Sequence, residues 1–147
     1  MVQSIHFKPG SAARELKPRH IAVDNTARAL SWDDLGLTFG RVERNVRLVL
    51  WGELPAFLEN LTTAAERIQL IRQHGYDPGR RPLDSVLPRF FVDRDGIEFS
   101  GSYRGHPTTV GWQWLPTFIH GLHLAKRLHD EELTEWSPPP LVRRKLV

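Results

Sequence analysis

The chain contains no cysteine among its 147 residues. That absence excludes a disulfide scaffold, thiolate metal ligation and a thiol nucleophile together. Long apolar runs are also missing. The opening stretch, Met1 to Pro9, has no signal-type apolar core, and no segment approaches the roughly 20 residues a membrane helix needs. The expectation is therefore a cytoplasmic protein with no membrane partner. No glycine cluster has the spacing of a phosphate-binding loop, and Gly36 and Gly40 are not followed by the required lysine. No cofactor is expected. No internal repeat is evident, and the only low-complexity tract is Pro138-Pro139-Pro140.

What remains is an ordinary globular composition, 40% hydrophobic and 25% charged, enough apolar side chain to offset the entropy of ordering a domain. The net charge is +3, and its basic excess sits in residues 1–30, around the central loop and in the last eleven residues. No uniformly basic face follows from that distribution.

The segment from Arg89 to His129 carries the clearest structural pattern. Asp95-Gly96 separates two β-rich runs, Arg89 to Asp93 and Ile97 to Tyr103, and predicts a hairpin. A third strand is expected from Thr108 to Trp114, with Val110, Trp112 and Trp114 on one face. Pro116 then opens a helix to about Leu133, whose face Leu115, Phe118, Ile119, Leu122 and Ala125 would cover the aromatic side of that sheet. Further upstream, Ser31 and Asp34 have capping-box spacing. Leu35, Phe39, Val42, Val46, Val49 and Leu50 recur at helical intervals, which predicts a helix there despite Gly36 and Gly40. A short helix from Pro55 to Leu61 and another from Thr63 to His74, stopped by Gly75, are expected next. Near the start, a short helix from Ser11 to Leu16 and a strand from His20 to Val23 complete the reading.

The fold class expected is α+β: one domain over residues 1–136, helices flanking a three-stranded antiparallel meander, with a C-terminal helix. Residues 1–30 would be a loosely ordered arm and residues 137–147 a proline-rich basic tail.

No catalytic signature accompanies this fold. His120 and His123, with Arg127 one turn on, share a helix flank. They would support metal binding or acid/base work only with partners that no motif supplies. Arg80 and Arg81 in the central loop, Tyr76 to Pro88, and the strand-flanking Arg89 and Arg104, with Arg143, Arg144 and Lys145 in the tail, are candidates for contact with a partner. Trp51, with Leu54 and Phe57, is a candidate for an association patch. The expected function is accordingly a small non-catalytic protein-binding or accessory protein, such as an adaptor, inhibitor, immunity-type protein or complex subunit. Nucleic-acid binding through the arginines is the first alternative, and a histidine-dependent hydrolase or metal enzyme the second.

Overall fold

A computed structural model describes residues 12–17, 19–41, 44–75, 79, 81–82, 90–100 and 107–135. Strands β1 (Arg14–Lys17), β2 (His20–Ala22), β3 (Ala29–Trp32), β4 (Gly36–Arg41) and β5 (Arg44–Leu50) form one antiparallel sheet in chain order. A single 3-10 turn, Trp51–Glu53, leads into α1 (Leu54–His74). The second sheet follows, again in chain order: β6 (Arg81–Pro82), β7 (Phe90–Asp93), β8 (Gly96–Ser100) and β9 (Pro107–Gly111). Another 3-10 turn, Trp112–Trp114, opens α2 (Leu115–Glu135). The class is α+β, with two antiparallel sheets in place of the single three-stranded meander. No helix among the described residues is long and apolar enough to cross a membrane.

The second half of the chain retraces the first. Asp33 Oδ1 accepts the N–H groups of Leu35 and Gly36 at 2.9 and 3.1 Å, and Asp93 Oδ1 accepts those of Asp95 and Gly96 at 2.8 and 3.2 Å. These are the same aspartate-nucleated turns. A Cβ on Gly36 would strike the Val49 carbonyl, and one on Gly96 the Val110 carbonyl, so both turns demand glycine for close backbone approach. Trp51 N–H donates to Leu35 O (3.1 Å), as Trp112 N–H does to Asp95 O (2.9 Å). Each tryptophan starts a 3-10 turn and a 21-residue helix that begins Leu-Pro. Leu54, Phe57, Leu61 and Ala64 are buried on α1, and Leu115, Phe118, Leu122 and Ala125 on α2. The chain is thus a tandem duplication of a meander and a helix, which corrects the expectation of no internal repeat.

The two units exchange helices. α1 packs on β7 and β8 of the second sheet, while α2 packs mainly on β3 and β2 of the first. Equivalent aromatic pairs mark the exchange. Phe118 meets Phe39 edge-on at 5.1 Å between centroids, and Phe57 meets Phe99 at 5.8 Å. Phe99 and Phe118, 5.6 Å apart, tie the two sites into one core. α2 thus reaches β8 through Phe118 but packs mainly on the first sheet, which corrects the expectation that it covers the meander ahead of it.

Four assignments are corrected. The helix expected from Ser31 to Leu50 is β3, β4 and β5. Gly36 and Gly40 disfavour a helix, and Val46 and Val49 suit the pleated sheet. The helix expected from Ser11 to Leu16 is replaced over its described part by β1. The third strand ends at Gly111, so Trp112 and Trp114 lie in the turn ahead of α2. The two helices expected between Pro55 and His74 are one, with Thr62 and Thr63 donating their hydroxyls to the carbonyls of Leu58 and Glu59 inside it. Gly75, at φ 71°, closes it as expected.

Candidate interaction surface

Two corners of the molecule are equivalent by the duplication, one at Trp51 and one at Trp112. Each tryptophan packs on the helix of the other unit. Trp51 stacks on His129 of α2, centroids 4.2 Å apart, with Lys126 Nζ 5.8 Å from its ring. Trp112 carries the Arg72 guanidinium of α1 at 4.0 Å, and Arg72 also donates to Arg94 O (2.7 Å).

The corners differ in chemistry. Around Trp51 stand Leu35, Leu50 and Leu133, which are 65%, 45% and 54% exposed. The matching positions at the Trp112 corner are Asp95, Gly111 and, on α1, Arg72. Because Asp95 and Gly111 build the same turn with the same backbone bonds, the fold does not require leucine at either place. Three exposed leucines beside a half-buried tryptophan form an apolar surface at this corner, while the other corner exposes Trp112 itself.

Charged groups rim this surface. Arg47 pairs with both Asp33 oxygens (3.0 and 2.8 Å), and Trp51 Nε1 donates to Asp33 O at 2.9 Å. The Arg47 bond, aided by the turn N–H groups, lowers Asp33 to about 2. Arg19, in the β1–β2 turn at φ 66°, reaches Glu132 at 2.6 Å, which lowers the Glu132 carboxyl and raises the Arg19 guanidinium. The buried Trp32 Nε1 has no hydrogen-bond partner among the described residues. Lys126 bonds both oxygens of Asp130 at 2.9 Å and holds its carboxyl below the ordinary range, with His129 Nδ1 3.2 Å away adding to the effect.

Of the residues picked out in the sequence, Trp51 lies at this corner, but Leu54 and Phe57, expected to share an exposed patch with it, are buried in the core. Arg127 is on α2 and pairs at 3.7 Å with Glu131. His120 and His123 are exposed on α2. Among the described residues no three His, Asp or Glu side chains are grouped to hold a metal ion. Arg81 is exposed on β6, whereas Arg80, Arg89, Arg104, Arg143, Arg144 and Lys145 lie outside the described residues. Sequence reasoning missed Leu35, Leu50, Leu133 and His129. The signal that would have found them is the repeat itself, since aligning Asp33-to-Ala64 on Asp93-to-Ala125 sets leucine against Asp95 and Gly111.

The chain matches no protein family, no curated protein and no solved structure.

Proposed function

We propose that the chain is a small non-catalytic protein-binding module, an adaptor, inhibitor or complex subunit, and that it binds through the Trp51 corner. One observation carries the reading: leucine occupies three exposed positions there, and the same backbone elsewhere in the molecule holds aspartate, glycine and arginine. Water-exposed leucine is unfavourable unless something covers it. Completing the burial of a half-exposed leucine yields about 1 kcal/mol, so three together with Trp51 suffice for the centre of a modest interface.

Five of the described arginines are already engaged within the fold, while Arg41, Arg44, Arg67 and Arg94 are exposed. Arg19, Arg28, Arg47 and Arg127 are each spent on a carboxylate, and Arg72 lies on Trp112.

The test is affinity capture from nuclease-treated lysate of the source cells, with the wild-type chain beside a double variant, L35D/L50G, that carries the second unit's residues. A protein retained near equal stoichiometry by the wild type and lost by the variant is the expected result. Equal capture by both would remove this surface from consideration, and loss of all capture on nuclease treatment would favour nucleic acid instead.

A further inference from the structure

We infer that the partner presents a cationic amphipathic segment to the Trp51 corner, aliphatic side chains against the leucines and lysine or arginine against their acidic rim. This rests on the protein-binding reading above and adds the chemistry of the occupant.

The internal duplication again supplies the comparison. Asp34, Glu53, Asp130 and Glu132 lie on the elements that meet at the Trp51 corner, and the duplication sets Arg94, Trp114, Gln69 and Ile71 against them. Four carboxylates replace none, in a chain whose overall charge is positive. Local cations answer only part of this. Arg19 and Lys126 neutralise Glu132 and Asp130, and Arg47 is committed to Asp33. Asp34 is exposed beside Leu35 and, although Arg19 is near enough to feel its charge, makes no salt bridge among the described residues. Glu53 accepts the backbone N–H of Leu50 at 3.0 Å, which fixes its carboxylate next to that exposed side chain. Each unanswered acid thus neighbours one of the exposed leucines. The paired acids are themselves exposed, and such ion pairs exchange partners at little cost. An anionic or neutral aliphatic segment would gain the leucine contacts but would leave Asp34 and Glu53 unanswered, and charge complementarity is what discriminates between partners.

The experiment titrates the full-length protein with two labelled peptides of about 12 residues, one of leucine and lysine and one of leucine and glutamate. It is repeated with L35D/L50G and with D34R, which carries the second unit's residue. The lysine peptide is expected to bind at least about tenfold tighter than the glutamate peptide. Its affinity should fall as salt rises from about 0.05 to 0.3 M, and by about fivefold in D34R and tenfold in L35D/L50G. Unchanged thermal midpoints would show that the variants fold. Equal binding of both peptides, or lysine-peptide binding indifferent to D34R, would overturn the inference. Sedimentation showing a dimer that L35D/L50G abolishes would overturn it too, by assigning the surface to a second copy. If the lysine peptide fails while leucine-dependent lysate capture persists, the cationic chemistry falls and the protein-binding reading stands. If both fail, that reading falls as well.

Discussion

Trp51 and His129 lie face to face, their ring centroids 4.2 Å apart and their planes 23° from parallel. The two residues belong to different units of the duplication, and His129, only 8% exposed, holds the place that Ile68 takes on α1. The stack fastens the first unit's turn to the second unit's helix, and the bond from Trp51 Nε1 to Asp33 O sets the indole's orientation.

Trp51→Ala should therefore destabilise the protein by about 2–3 kcal/mol, somewhat less than a fully buried aromatic would. Trp51→Phe should lose about 1 kcal/mol, the net worth of the indole hydrogen bond. Urea unfolding of both variants beside Trp112→Ala checks the assignment. The order expected is Trp51→Ala, then Trp112→Ala, because Trp112 is the more exposed of the two.

The exchange of helices predicts where damage to α2 is felt. A Cβ at Gly121 would meet Val23 Cγ1 at 2.6 Å and Leu30 Cδ1 at 3.0 Å, both in the first unit. Gly121→Val should cost about 1–3 kcal/mol by overpacking. Amide hydrogen exchange should show lost protection in β2 and β3 ahead of β7 and β8.

Acid should weaken the Trp51 corner. Asp33, Asp130 and Glu132 all have lowered carboxyl pKa values, so each contributes stability that is fully present above the unfolded value near 4 and is lost as pH falls through the folded one. For Asp33 that window runs from about 4 down to about 2. Its side chain is half exposed, so screening keeps the contribution under about 1 kcal/mol. Urea midpoints measured from pH 6 to pH 2 should fall less in Asp33→Asn than in the wild type, since the amide oxygen still serves the turn but has no charge to lose.

Leu133→Arg transplants the residue that α1 uses at Trp112. The guanidinium should settle over Trp51 as Arg72 does over Trp112, for a gain of about 0.5 kcal/mol. The thermal midpoint should rise slightly, and partner binding through this surface should weaken.

Legibility in the sequence followed how local each signal was. Asp95-Gly96 announces its hairpin in two residues, and Pro116 with its i, i+3, i+4 apolar face announces α2. The run from Ser31 to Leu50 misleads because its apolar residues fall at helical intervals while the strand alternation is broken. The register shifts between Leu37 and Thr38, which leaves Leu48 and Val49 both buried, and Leu35 is exposed at a turn. The partner of each helix was not legible, since an apolar face says that it is covered and not by which sheet. At the candidate surface Trp51 was visible by its size. Leu35, Leu50 and Leu133 were not, because exposure of a leucine is a tertiary fact. The His120/His123 spacing drew attention on α2, although His129 is the histidine that packs into the structure.

Synthesis runs from the first unit to the second, and the helix that covers the first sheet is made after every strand described. Between the completion of β5 at Leu50 and the emergence of α2 at Leu115, the ribosome spends on the order of 3–13 s at ordinary elongation rates. For that interval Leu30 and Phe39 face water or a chaperone, and α1 waits for a sheet not yet translated. The nascent chain is therefore committed to finishing late and all at once, and a translational pause after α1 would lengthen the time during which it is open to aggregation.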